Sequence, residues 1–399
     1  MTDPRVKALV SEINNELGYD AVKLSSQTEG TYLLRRPCGI FSLDLATKGG
    51  LPAGTMVKIG GAEGLGKNYL ANCYIAECQR IYGKDARIFI VVGEYPYDKL
   101  KARDDGVRIA LTKKELARFE QGLRRKLSDE EKKELMSETG EFVLVEGLSQ
   151  DKSLATVLEL LESDLFHVGL VDSMDSLLPE NEEERDVGDD LVGASAKVQT
   201  AFMKRFYRAI GFSRRTLLLT LGQARANIPR GNMPVRTPNK VNEAYAVKHG
   251  QAGKIILRQG DFIKKSDIKV GKVIRWGIEK GKAGFHDGPS GELVYYYDSG
   301  VDKIADSVEV LKNHIERAGA WYYIHDENGE ELKFQGLDQL KSYLFSHPEV
   351  RRMLEQWVYD KEEIAFVHHE VDKEEKTGKK ASKQGRKKGR KKAKRKKNS

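Results

Sequence analysis

Short, unbroken apolar runs recur through the middle of the chain, separated by stretches of helical length. Met56–Ile59, Arg87–Val92, Phe142–Val145, His167–Asp172 and Thr216–Leu221 read as strands buried on both faces. Residues 69–82, 151–163 and 191–212 between them read as helices. This alternation predicts an α/β fold with a mostly parallel sheet covered on both sides. Ahead of it, Val6, Leu9, Val10, Ile13 and Leu17 form one helical stripe, for a helix that packs on its own domain or docks on a neighbouring subunit. Residues 112–137 are charged and helix-forming and interrupt the strand pattern, as an insertion does. From Gly222 to Ala246 the periodicity fades among prolines, glycines and asparagines, which marks a long functional or disordered loop. Residues 253–300 alternate in the β manner, and residues 304–367 read as a small α/β unit containing Trp321, Tyr322, Tyr323 and Trp357.

Charge changes the picture at one end. The net charge is +8, but residues 376–399 hold fourteen Lys or Arg and no acid, which leaves −6 over residues 1–375. A mildly acidic body thus carries a polycationic, low-complexity tail that cannot bury a core. No apolar run is long enough to span a membrane, and the first residues lack the apolar core of a secretory signal. The three cysteines, Cys38, Cys73 and Cys78, are too few for a disulfide framework and fit a reducing compartment, with buried free thiols expected.

The chemistry concentrates in Gly61-Ala62-Glu63-Gly64-Leu65-Gly66-Lys67-Asn68. It lies between a strand and a helix beginning near Tyr69, and it matches the phosphate-binding loop G-x-x-x-x-G-K-[ST] except at its last position. Backbone N–H groups from Gly61 to Tyr69, at the helix N-terminus, would face a nucleotide's phosphates, with Lys67 neutralising them. Asn68 replaces the hydroxyl residue that usually ligates Mg²⁺, and its amide oxygen would have to serve instead. Asp172, ending a buried strand, stands where a second Mg²⁺ carboxylate is expected. Glu94, just past the strand that follows the loop in the chain, is a candidate general base, because strand carboxyl ends converge on the ligand crevice of an open parallel sheet. Gln223, after Thr216–Leu221, is placed to sense the γ-phosphate.

Together with Gly39-Ile40-Phe41-Ser42-Leu43-Asp44, Gly49-Gly50-Leu51-Pro52-Ala53-Gly54, Val171-Asp172-Ser173, Leu178-Pro179, Val187-Gly188-Asp189 and Arg317-Ala318-Gly319-Ala320-Trp321-Tyr322, the loop gives the chain its family likeness. In this order, over roughly residues 37–360, the chain resembles the RecA family of homologous recombinases, on its bacterial and phage side. The resemblance implies ATP and Mg²⁺ as cofactors, with Glu94 as catalytic glutamate and Gln223 as sensor. It implies an adenine contact at Asp98 and an aromatic near the base at Tyr297. Lys280, Lys282 and Lys248 match lysines that reach the neighbouring subunit's ATP. Two loops, at about residues 180–191 and 225–245, match DNA-facing loops, with Arg225, Arg230, Arg236 and Lys240 on phosphates and Lys197 assisting from the intervening helix. Four features depart from the family: Asn68, Gly222 in place of a polar residue, an insertion at residues 107–140, and a basic rather than acidic tail.

The expected organisation is an N-terminal oligomerisation segment (1–36), a RecA-type P-loop core (37–305), a C-terminal α/β domain (306–370) and a disordered basic tail (371–399). The expected function is a cytoplasmic, DNA-dependent ATPase that forms helical homo-oligomeric filaments on single-stranded DNA and pairs it with double-stranded DNA, without membrane contact. A weakly hydrolysing regulator of the same fold, suggested by Asn68, and a hexameric helicase motor are the alternatives.

Overall fold

The computed structural model describes residues 3–18, 22–24, 34–93, 96–177, 179–180, 194–212, 215–226, 239–241, 244–326 and 328–364. The chain opens with α1 (Pro4–Leu17), β1 (Arg35–Arg36), α2 (Phe41–Ala46), β2 (Leu51–Pro52), β3 (Thr55–Gly61) and α3 (Lys67–Tyr82). Next come β4 (Arg87–Val92), α4 (Lys99–Asp104), α5 (Lys113–Leu123), α6 (Asp129–Leu135), β5 (Glu141–Val145), α7 (Gln150–Glu162) and β6 (Val168–Asp172). Then follow α8 (Ala194–Phe212), β7 (Leu217–Ala226), β8 (Asn239–Val241), α9 (Tyr245–Gly250), β9 (Gly253–Lys265), β10 (Ile268–Gly281), β11 (Ser290–Tyr296) and β12 (Gly300–Val301). The last elements are α10 (Lys303–Leu311), β13 (Glu316–Ala318), β14 (Trp321–His325), β15 (Glu331–Gln335), α11 (Gly336–Ser346) and α12 (Pro348–Lys361).

The main sheet runs β12-β11-β10-β9-β3-β7-β6-β4-β5, with β8 paired to the far end of β7. From β9 to β5 the neighbours are parallel; β10, β11 and β12 continue the sheet antiparallel. The unbroken apolar runs are explained by which face each residue takes. Val57, Ile59, Ile88, Ile90, Val168, Leu170, Leu217 and Leu219 pack with α3 on one face. Met56, Phe89, Val91, Val171 and Leu218 pack with α7 and α8 on the other. A strand covered on both sides has no polar face to alternate with.

The insertion folds as two helices, each started by a capping box: Thr112 with Glu115, and Ser128 with Glu131. Leu111, Leu116 and Leu127 give it a small core of its own, while Val107 and Ile109 remain part of the main one. The C-terminal unit packs α10, α11 and α12 against a three-stranded sheet, β13-β14-β15. Its core also takes in Phe41 from α2, whose ring meets Tyr359 edge-on at 5.1 Å. The domain division drawn between 305 and 306 therefore falls inside α10.

Helix α1 is well specified locally, with Asp3 as N-cap, Pro4 in its first turn and a left-handed Gly18 at its end. None of its residues is buried, and Val6, Leu9 and Leu17 are exposed. Among the described residues its apolar stripe is not packed into a core. The three cysteines are buried and unbridged.

Candidate functional site

The phosphate loop sits where β3 ends and α3 begins. Gly64 (φ 70°) and Gly66 (φ 80°) both lie in the left-handed region, so the loop can curl with its amides turned inward. At Gly61 a β-carbon would come 2.9 Å from the Leu257 carbonyl oxygen of β9, which leaves no room for a side chain there. Leu65 anchors the loop in the core at 4% exposure, whereas Glu63 faces solvent. Lys67 Nζ donates to the carbonyls of Gly61 (3.0 Å) and Ala62 (2.9 Å), so the ammonium is held within the loop it serves.

The Mg²⁺ candidates are in contact: Asn68 Nδ2 donates to Asp172 Oδ2 at 3.0 Å. That bond fixes the amide's orientation and leaves Asn68 Oδ1, an acceptor with no protein partner among the described residues, for a cation. Strand register brings Gln223 alongside, because Gly61 on β3 pairs with Gln223 on the parallel β7. Val92 pairs with Asp172, and the Gly93 N–H donates to the Asp172 carbonyl at 2.7 Å. The chain therefore leaves β4 next to Asp172, and Glu94, the next residue, lies outside the described residues. The donor set fits a nucleoside polyphosphate with Mg²⁺: a curled run of amides, a helix N-terminus, a lysine, an amide oxygen and a carboxylate.

Other expected contacts are placed differently. Tyr69 turns its ring into the core, edge-on to Tyr295 at 5.3 Å, and its hydroxyl accepts the Val301 N–H at 3.0 Å. Only its backbone N–H, in the first turn of α3, faces the loop side. Asp98 caps α4, accepting the Lys101 N–H at 2.9 Å, and remains exposed. It is tied back to α3, since the neighbouring Tyr97 hydroxyl donates to Asn72 Oδ1 (2.7 Å) and Asn72 Nδ2 donates to Asp105 (2.8 Å). Burial pushes the Tyr97 phenol well above its usual range, so it stays a donor. Tyr297, half-exposed after β11, lies at the same end of the sheet.

Lys280 and Lys248 are brought together at the other end. Lys280 Nζ donates to the carbonyls of Lys248 (2.6 Å) and His249 (3.2 Å) in the last turn of α9. Lys280 pairs with Lys254, which pairs with Lys58, three residues before Gly61 and about 10 Å back along the strand. The register thus places this pair toward the amino ends of the parallel strands, away from its own phosphate loop. Lys282, just past β10, and Lys197, on α8, are exposed.

The strand expected to end at Leu221 continues to Ala226, and β8 returns against it with Arg225 opposite Lys240. The long loop is therefore closed at its base by antiparallel pairing. Arg230 and Arg236 lie outside the described residues, as do residues 181–191 of the stretch expected to be the first DNA-facing loop.

Lys272, on β10, was absent from the sequence expectations. It is 7% exposed, and its ammonium donates to the carbonyl of Gly64 in the phosphate loop. The available signal was its place in the strand. Lys272 shares the inward stripe with Ile274, Trp276 and Ile278, all buried.

No family model matches the chain. It is similar along most of its length to curated proteins named Protein RecA. That of Thermotoga petrophila is 26% identical over 343 residues, covering 85% of this chain and 86% of the relative. That of Xanthomonas campestris pv. campestris is 25% identical over 375 residues, covering 93% and 97%. That of Petrotoga mobilis is 24% identical over 380 residues, covering 94% and 93%. The chain is thus similar to RecA proteins over most of its length, and its mixed, mostly parallel sheet carries the phosphate loop at the end of β3, a central strand.

Proposed function

We propose that this chain is an ATP-dependent DNA strand-exchange protein that assembles as a helical filament on single-stranded DNA and pairs it with duplex. The observation that carries the reading is the cluster at the carboxyl end of the sheet: Lys67 in its loop, Asn68 bonded to Asp172, and Gln223 in register with Gly61. The length of the similarity to RecA proteins supports it. ATP with Mg²⁺, when bound, supplies the γ-phosphate whose presence or loss switches the assembly. Lys67 holds its charge, Asn68 and Asp172 hold the metal, and Glu94 orients or deprotonates water. Gln223 begins the last stretch of β7 that leads into the DNA-facing loop, so a contact made there reaches that loop through continuous backbone. Asp98 and Tyr297 flank the base. Lys248, Lys280 and Lys282 serve the neighbouring subunit's nucleotide, and the distance of Lys248 and Lys280 from their own loop supports this. Lys197, Arg225, Arg230, Arg236 and Lys240 take DNA phosphates, which gives affinity without reading sequence. The uncovered stripe of α1 supports docking on a neighbour within the 1–36 segment. Among the described residues no helix is long and apolar enough to cross a membrane, and the proposed compartment is the cytoplasm.

Electron microscopy with single-stranded DNA tests the reading. Extended helical filaments with a non-hydrolysable ATP analogue, compact or absent without it, are the expected result. Closed rings would point instead to a helicase motor. A second reading, a regulator or mediator of the same fold that binds ATP but hydrolyses it slowly, is favoured by Asn68 alone. DNA-stimulated phosphate release separates the two.

A further inference from the structure

A buried lysine ordinarily has a carboxylate beside it, because taking an ammonium out of water uncompensated costs several kcal/mol. Lys272 has none among the described residues. Its contacts are one carbonyl, that of Gly64, and the ring of Tyr297, whose centroid is 5.9 Å from Nζ. Burial alone pulls its pKa below the usual lysine value. It stands between the phosphate loop on one side and the aromatic proposed to lie near the base on the other. Ile274, two residues along the same stripe, supports the loop from beneath, its Cδ1 lying 3.4 Å from where a β-carbon on Gly66 would be. β10 therefore forms the floor of the loop, and Lys272 is the buried cation of that floor, on the inward stripe shared with Ile274, Trp276 and Ile278.

We propose that Lys272 is a second phosphate-binding cation of the nucleotide site, contributed in cis from β10, whose missing counter-ion is the polyphosphate of the bound nucleoside di- or triphosphate. The inference rests on the nucleotide reading of the loop and goes beyond it. The loop pattern supplies a single lysine, and this chain adds one from a strand two positions away in the sheet. Without nucleotide the ammonium is parked on Gly64. With nucleotide it neutralises phosphate charge from the β10 side of the loop. A staple that merely supports the loop predicts something different, since any donor to Gly64 would then do.

The test uses the full chain and ADP as probe. Lys272→Met removes the donor and the charge, Lys272→Gln keeps a donor for Gly64 without the charge, and Lys272→Arg keeps both. Titration calorimetry should show ADP affinity about tenfold weaker in the Met and Gln variants, the size expected for one charge-assisted contact, and largely retained in Arg. The unliganded Met variant should be as stable to denaturant as the wild type, or more so, because an uncompensated buried charge has gone. Wild-type affinity in the Gln variant would overturn the proposal, as would a less stable Met variant whose ADP affinity is unchanged; either result makes Lys272 a staple. Failure of the wild type itself to bind ADP would instead remove the nucleotide reading, and this inference with it.

Discussion

Lys58 and Lys272 are both buried lysines of the main sheet, and they are neutralised in opposite ways. Lys58, on β3 at 2% exposure, reaches Asp175 Oδ2 at 3.3 Å, and Gln199 of α8 lies 3.4 Å from the other carboxylate oxygen. Lys272 faces the side of the sheet that carries α3 and meets a carbonyl and an aromatic ring. The first charge is closed within the fold. The second is left for something outside it. The difference follows position along the strands: Lys58 lies in mid-sheet, between α8 and the loop after β6, whereas Lys272 lies past the carboxyl ends, where an open parallel sheet binds ligands. Buried charge is thus informative about function only once its partners have been counted.

The comparison can be broken most severely at Lys67, the loop's own lysine. Lys67→Ala should weaken ATP binding roughly a hundredfold, the loss of two or so charge-assisted bonds. The fold should hold, because the Lys67 ammonium donates to carbonyls of its own loop, at Gly61 and Ala62, and its side chain is not part of the buried core. Nucleotide titration with circular dichroism checks both, and undiminished ATP binding would displace the site.

On the closed side, Asp175→Ala should remove the acid that pairs with the buried Lys58 ammonium. Stability should fall by about 3 kcal/mol, the low end for a broken buried pair, because Asp175 is itself 24% exposed. Urea unfolding measures this. Nucleotide affinity should change little, the reverse of the Lys272→Met pattern. A matching pattern for the two variants would erase the distinction between a closed and an open charge.

Legibility in the sequence followed the same line between local and long-range physics. The parallel core was readable because Val57, Ile88, Leu170 and Leu219 stand in unbroken apolar runs, and the phosphate loop because its glycines and lysine act through adjacent backbone. Asp172 was readable as a strand-ending polar residue; Gln223 read the same way, but β7 runs on to Ala226, and it is strand register that places Gln223 level with Gly61. The Asn68–Asp172 contact joins residues 104 apart, and no spacing rule gives it. Tyr69 was assigned to the nucleotide with the rest of the motif, yet its ring belongs to a contact with Tyr295 and Val301 made far along the chain. Lys272 was missed because a lysine in an alternating, Lys-rich stretch reads as solvent-facing until its register is counted against Trp276. Arg230, Arg236 and Glu94 lie outside the described residues, so their roles rest on the resemblance.

A finer probe of the open side is Asn68. Its amide nitrogen is committed to Asp172, which leaves one neutral oxygen for the cation. A threonine hydroxyl in that place is the usual ligand of phosphate loops. Asn68→Thr should therefore raise DNA-stimulated phosphate release several-fold, with ATP affinity nearly unchanged because Lys67 and the amides remain. A level or lower rate would mean that the Asn68–Asp172 arrangement already holds the metal competently.

The smallest expected effect concerns the basic end of the sequence. The tail, residues 376–399, lies outside the described residues and carries fourteen cations without an acid, on a body of net −6. Its nearest alternative is an address or solubilising segment, since polybasic runs often serve so. A DNA-capturing arm makes a sharper demand. Each phosphate that it neutralises steepens the fall of affinity with salt by roughly −0.7 in log–log slope on single strands. Deleting residues 376–399 should therefore weaken single-stranded DNA binding most at low salt and flatten the slope. ATPase activity at saturating DNA should persist, because the nucleotide cluster belongs to the carboxyl end of the core sheet. Fluorescence anisotropy across a salt series reads the slope directly. An unchanged slope would leave the tail as an address, and would confine this protein's uncompensated cations that matter for binding to those held by its fold.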